Sequence, residues 1–287
     1  MKHIPVMTKE VLEYLKPQTG KKYIDATLGE GGHTKKVLDL IGPKGKMLLI
    51  DKSTHSIDIA KANLHQYFRQ CSFVCDNFGN LKDIVKTNNF NNPNGIIYDL
   101  GMSTWQIKDS GVGITFTKDE PLDMRLSQDQ DLVSAYELIN KFPAKRIADI
   151  LYQYGDVRNS WSIARRIEQA RREEKICTTF QLIDILKTKN PKFLAPVFQA
   201  LRIFVNQELE NLQKSLLAAA NIINKGGRIV VISFHSGEDR IVKNIFREYK
   251  KLGKVNILTA KPICASREEI IQNPKSRSAK LRAVEII

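Results

Sequence analysis

Residues 23–34, Tyr-Ile-Asp-Ala-Thr-Leu-Gly-Glu-Gly-Gly-His-Thr, constrain the fold of this chain more than any other segment. A short apolar strand runs into an acid at Asp25, then into a Gly-x-Gly-Gly turn at Gly29, Gly31 and Gly32. A basic, helix-forming run from Lys35 to Leu40 follows. Glycines at a strand-to-helix turn let the backbone approach a ligand, because no Cβ intervenes. A second apolar strand, Met47–Ile50, ends in Asp51. A nucleotide-binding α/β fold places there, roughly twenty residues on, the carboxylate that grips the ribose hydroxyls. The order predicts an α/β sheet that binds a nucleoside cofactor.

A dinucleotide site wants Gly-x-Gly-x-x-Gly, with the helix N-terminus facing a pyrophosphate. Here the glycines are packed more tightly, and Asp25 precedes them. A carboxylate at that point repels a pyrophosphate and suits a cation. S-adenosylmethionine carries an ammonium and a sulfonium, so it is the cofactor expected, with Asp25 beside it.

Strand patterns near 22–26, 46–50, 71–75 and 95–100 alternate with helical patterns near 33–41, 54–66 and 79–88. That rhythm predicts a parallel sheet covered by helices. After Asp99-Leu100-Gly101 it breaks, and helical patterns dominate from about Trp105 to Asn206. Strand pattern resumes at Gly227–Phe234, behind an amphipathic helix carrying Leu209, Leu212, Leu216 and Ile223. Extended runs at Val255–Ala260 and Leu281–Ile287 close the chain. The simplest organisation is a Rossmann-like domain, residues 1–104 and 207–287, split by a helical insert, residues 105–206. The insert leaves from the ligand-binding edge of the sheet and would serve as a lid or substrate platform.

No apolar run approaches the roughly 18 residues of a membrane span, and Met-Lys-His-Ile-Pro-Val-Met does not read as a signal peptide. Cys71, Cys75, Cys177 and Cys264 are scattered without Cys-x-x-Cys spacing, and Cys71 and Cys75 flank a strand-like run, so buried thiols rather than a metal pair are expected. The expectation is a soluble, cytoplasmic protein without a metal centre. Lys and Arg number 45 against 31 Asp and Glu, a net charge of +14. Such a balance points to a polyanionic partner, although a lysine-rich proteome would produce the same figure.

Asp99 ends the strand Gly95–Tyr98 and stands at the ligand edge. This place suits a methyltransferase that acts on an amino group. The lone pair of an aromatic amine is delocalised into its ring, so the nitrogen must be oriented for in-line attack. The nitrogen becomes acidic as it bonds to the methyl, so a carboxylate of ordinary pKa, ~3.9, suffices as acceptor. A strand-terminal Asp that caps the next turn is the alternative. Phe78 follows the third strand and either stacks on an adenine ring or joins the core. His235, in Ser-Phe-His-Ser-Gly-Glu-Asp-Arg, is a candidate general base or a structural histidine. Arg125 and Arg202 contact phosphate or pair with acids of the insert. The tail Asn273–Arg282 carries Lys275, Arg277, Lys280 and Arg282 between small residues with no acid. It suits a phosphate backbone tracked by an extended segment, or else a solvated edge strand.

Together, His3-Ile4-Pro5-Val6, Asp25–Thr34, Asp99–Ser103, Pro121–Arg125, Phe198–Asn206, Ser233–Arg240 and Asn273–Arg282 resemble the bacterial RsmH (MraW) family in the family's order. That family comprises S-adenosylmethionine-dependent methyltransferases acting on the N4 amine of a cytidine in 16S rRNA. The resemblance implies a class I methyltransferase sheet with a helical insert after the fourth strand. It puts Gly31, Gly32 and His33 on the methionine side of the cofactor and Asp51 on the ribose. Phe78, Asp99 and Gln106 complete the pocket, with Asp99 and His235 as catalytic candidates. The implied partner is 16S rRNA in the small ribosomal subunit, held by Arg125, Arg202, Lys275, Arg277 and Lys280, and a homodimer is compatible with the pattern. Departures from it are Ser53, Glu120, Gly237 and Leu194-Ala195-Pro196-Val197, the last of which loses a basic side chain near the expected RNA face. A methyltransferase for DNA or protein amines would share the cofactor half, and an RNA-binding factor on a decayed fold would require a broken cofactor motif.

Overall fold

Met47, Leu48, Leu49 and Ile50 are all fully buried, as expected of a parallel strand covered on both faces. They belong to β2 (Lys46–Asp51) in an eight-stranded sheet. Its other parallel members are β1 (Lys22–Asp25), β3 (Cys71–Cys75), β4 (Gly95–Asp99) and β5 (Arg228–Ser233). The computed structural model describes residues 4–102, 107, 110–126 and 132–287. Gln106 lies outside the described residues. The chain divides into two compact units, Met1–Gly101 with Leu209–Ile287, and Met102–Glu208.

In the first unit the strand order is β3-β2-β1-β4-β5-β8-β6, where β6 is Val255–Ile257 and β8 is Lys280–Ile286, and β7 (Ile263–Cys264) pairs with β8 off this path. Cys71 and Cys75 bound the edge strand β3 and are half-buried and exposed, not the buried thiols expected. The order reverses between β1 and β4, which opens a crevice at their carboxyl ends. Alternation along the strands sorts side chains onto two faces. Ile24, Leu48, Ile96 and Tyr98 pack with Leu212, Leu216 and Phe246, while Tyr23, Met47, Leu49 and Ile97 pack with Val11, Val37 and Leu38.

The tail differs from the extended segment expected for tracking RNA. Pro274–Ser278 forms a 3₁₀ turn with Ser276 fully buried. From Lys280 the chain runs antiparallel between β5 and β6 as β8. Arg282 is 8% exposed and bonds both oxygens of Asp239 at 2.6 and 3.1 Å. Strand β5 would otherwise leave an unpaired row of backbone groups, and β8 satisfies it. The alternation of cations with small residues is therefore the pleat of an inner strand from Lys280 onward. Lys275 and Arg277 remain exposed, and Lys280 is half-buried.

Among its described residues the second unit packs the helices Ala135–Lys141, Ala144–Gly155, Ser160–Glu173, Thr179–Leu186 and Pro191–Val205 around Ile147, Ile150, Leu151, Ile163, Leu182 and Leu201. Leu194 and Val197 belong to this core. Pro121–Arg125 is threaded into it with Leu122 and Met124 buried. Met124 takes a left-handed φ of 60°. Asn206 fixes that bend, accepting from Leu126 N at 2.8 Å and donating to Met124 O at 2.8 Å.

Candidate active site

Register assembles the site. Asp25 pairs with Leu49 of β2 and with Ile97 of β4. Asp51 and Asp99 thus each stand two residues farther toward the carboxyl edge, and the period of two gives all three acids the same face. The helix Gly32–Ile41 lies on that face, entered through a turn in which Gly29 and Gly31 have φ of 52° and 81°. A Cβ on Gly31 would also meet Leu64 Cδ1 at 3.0 Å, so position 31 requires glycine twice over.

The three acids do different things. Asp25 is 1% exposed and accepts from Thr34 Oγ1 at 2.7 Å and Thr27 N at 3.1 Å. Burial pushes its carboxyl up to about 6, against the pull of those two donors and of His33. With its oxygens engaged by the turn, Asp25 acts as a strut between β1 and the helix, and the structure places it beneath the ligand edge. Asp51 accepts from Gly29 N at 2.8 Å and Ser53 N at 2.9 Å, one bond on each oxygen. A carboxylate oxygen has two acceptor positions, so one on each remains for a pair of hydroxyls. Burial raises the Asp51 pKa, and the Ser53 and Gly29 amides oppose the rise.

Asp99 is held through its backbone, whose N–H donates to Thr27 Oγ1 at 2.6 Å. Its Oδ2 lies 3.5 Å from His33 Nε2. His33 is 6% exposed. Burial alone would lower its pKa, but the Asp99 carboxylate, with Asp25 and Glu269, outweighs burial and holds it above the ordinary value. Asp99 Oδ1 and both His33 ring nitrogens are buried without a well-formed hydrogen bond among the described residues. Buried polar atoms are normally satisfied, so this corner has unused capacity for a ligand.

Phe78 opens a short 3₁₀ turn and meets Tyr98 edge-on, with ring centroids 6.0 Å apart. His235 is the N-cap of the helix Ser236–Lys251. Its Nδ1 accepts from Glu238 N at 3.4 Å, and Glu238 Oε2 accepts from His235 N at 3.3 Å and from Phe234 N at 2.7 Å. That reciprocal capping box gives His235 a structural task. Arg125 bonds Asp123 through two nitrogens at 2.6 and 2.8 Å, and Arg202 bonds Glu208 likewise at 2.9 and 3.0 Å. Of the two roles the sequence leaves open for these arginines, the structure shows pairing with acids.

Sequence reasoning misses Thr27, Thr34 and Glu269. Only the alternation of Asp25, Thr27 and Gly29 hints at the first. Glu269 accepts from Met7 N at 2.6 Å, and Asn273 donates to Ile4 O at 3.0 Å. The N-terminal segment is thereby held against the turn, where a Cβ on Gly32 would meet Pro5 at 3.1 Å.

A model of the MraW methylase family matches residues 1–287. The chain belongs to the MraW methylase family. The ribosomal RNA small subunit methyltransferase H of Thermotoga neapolitana is 40% identical over 296 residues, covering 99% of this chain and 96% of that protein. Its counterpart from Lactobacillus acidophilus is 39% identical over 312 residues, covering 99% and 98%. A crystal structure of a candidate rRNA methylase from Clostridium thermocellum aligns over 100% of both chains with a TM-score of 0.51 at 13% identity, which shows a shared fold.

The methyltransferase sheet of an MraW-family protein serves S-adenosylmethionine, and the residues present fit that group. Asp51 has two acceptor positions for ribose hydroxyls, and Gly29, Gly31 and Gly32 carry no Cβ where a ligand must come close. Asp99 Oδ1 offers an acceptor to a cationic or N–H-bearing ligand. A pyrophosphate would meet the carboxylates of Asp51 and Asp99 instead.

Proposed function

We propose that this MraW-family protein methylates the N4 amine of a cytidine in 16S rRNA of the small ribosomal subunit, in the cytoplasm. S-adenosylmethionine, when bound, supplies an electrophilic methyl group. The unsatisfied Oδ1 of Asp99 at the carboxyl end of β4 is the observation that carries the reading. It accepts an N–H of the exocyclic amine and turns the nitrogen lone pair toward the methyl carbon. Asp99 would take the proton that the amine loses when its nitrogen accepts the methyl group and the methyl–sulfur bond of the donor breaks. The cytidine must be unpaired and unstacked for its amine to reach this edge. Asp51 holds the ribose of the cofactor, Asp25 holds the turn, and the helical unit is the platform for RNA. The 40% identity to ribosomal RNA small subunit methyltransferase H supports the choice of substrate.

The test is methyl transfer to small subunits that lack the modification, read by nucleoside mass spectrometry. The expected result is N4-methylcytidine that disappears with Asp99→Ala. Methylation of a different base, or of DNA or peptide only, would overturn the reading.

A further inference from the structure

We propose that a basic groove between the helix Ser236–Lys251 and the outer strand β6 binds the phosphate backbone of the substrate RNA. The proposal rests on the RNA reading above and adds a contact on the cofactor-binding unit itself. The groove is lined by Lys243, Arg247 and Lys250 on the helix side, with Phe246, Ile257 and Arg282 among its other walls. Spacings of four and three residues put the three helical cations on one stripe. The neighbouring stripe, Val242, Ile245, Phe246 and Tyr249, is buried against the sheet. The helix thus seats its apolar side and leaves a row of cations along the groove.

The walls contain no carboxylate. Asp239, the nearby acid, is engaged on both oxygens by Arg282. Arg125, Arg202 and Arg228 each have a carboxylate within 3 Å, while Lys243, Arg247 and Lys250 have none among the described residues. Like charges at such spacing repel one another in the free protein, and a polyanion relieves that repulsion. Strand β6 is four strand spacings from β1, about 19 Å across the sheet. A phosphate bound here therefore belongs to a nucleotide well removed from the one under the cofactor turn, so the ligand is a polynucleotide rather than a free nucleotide.

The experiment measures binding of the full-length protein to protein-free 16S rRNA over a potassium chloride series. The test variant carries Lys243→Gln, Arg247→Gln and Lys250→Gln together. A second variant, with Lys243→Arg, Arg247→Lys and Lys250→Arg, keeps the charge. Three lost phosphate contacts should lower the slope of log affinity against log salt by about 2 and weaken low-salt binding at least ~10-fold. The charge-keeping variant should match the wild type, and both should retain its melting temperature and its affinity for S-adenosylhomocysteine. An unchanged slope in the Gln variant overturns the proposal. So does a change seen with intact subunits but not with protein-free RNA, which would assign the groove to a ribosomal protein. Binding is read without turnover, so failure of methyl transfer would overturn the reaction assigned above and leave the slope result standing.

Discussion

His33 Nε2 lies 3.5 Å from Asp99 Oδ2, so the helix that follows the glycine turn is coupled to the acid that ends β4. The pair is buried on the histidine side, and Asp25 and Glu269 add negative charge around it. The Asp99 carboxylate favours the charged form of His33 against the burial that opposes it.

Replacing Asp99 with Asn should therefore lower the His33 pKa below its ordinary value of ~6.5, because burial then dominates. The sign for stability follows. A histidine whose folded pKa is raised contributes stability that is fully present below ~6.5 and is lost as pH rises through the folded pKa. The advantage of wild type over Asp99→Asn should shrink across that window. Histidine NMR titration of the cofactor-free protein, with denaturant unfolding at several pH values, checks both. A His33 pKa that does not move in the variant would refute the coupling.

Asp25 contributes with the same sign, over a lower range of pH. Its carboxyl is raised from 3.8 to about 6, so the folded state binds more protons than the unfolded state between those values. Stability should fall as pH rises from about 4 to 6, by on the order of 3 kcal/mol from this group. Asp25→Asn removes the titration, and the difference between the two unfolding curves isolates it. The same variant leaves Thr34 Oγ1 and Thr27 N competing for one amide oxygen, so the turn should loosen and cofactor affinity should fall.

Gly31→Ala should be worse than Gly32→Ala. At position 31 the substitution combines a left-handed φ of 81° with a Leu64 contact of 3.0 Å. At position 32 the new methyl meets only the Pro5 ring at 3.1 Å, which the N-terminal segment can relieve by moving. We expect a cost of about 1–3 kcal/mol for Gly31→Ala and less than half of that for Gly32→Ala, measured by urea unfolding. Isothermal titration with S-adenosylhomocysteine should rank the two variants in the same order.

These residues also show what the sequence makes legible. The parallel strands are readable because burial on both faces leaves continuous apolar runs, as at Met47–Ile50 and Ile229–Ile232, and because three of them end on an acid. The Rossmann-like class follows from that pattern. The partners of Arg125 and Arg202 are not readable, since an acid two or six residues away is equally free to face solvent until the backbone bend at Met124 and the helix end at Asn206 are fixed. Glu269 is 262 residues from Met7, and no local pattern announces such a contact. The position of β8 depends on which edge of the sheet lacks a partner, a property of the assembled sheet.

The arginine pairs give the last prediction. Arg202 and Glu208 are each 18% exposed, whereas Arg125 and Asp123 are 30% and 33% exposed. An ion pair gains strength as water is excluded, and losing one partner leaves the other charge poorly solvated. Arg202→Ala should therefore cost about 2 kcal/mol, between the ranges for surface and buried pairs, and Arg125→Ala about 1 kcal/mol. Urea midpoints at constant m-value measure both. Pairing Arg202→Met with Glu208→Leu should recover part of the loss, because the double variant removes both charges of this pair. If Arg202→Ala instead leaves stability untouched and lowers RNA affinity, its guanidinium releases Glu208 for phosphate, and the ion pair is only the resting arrangement.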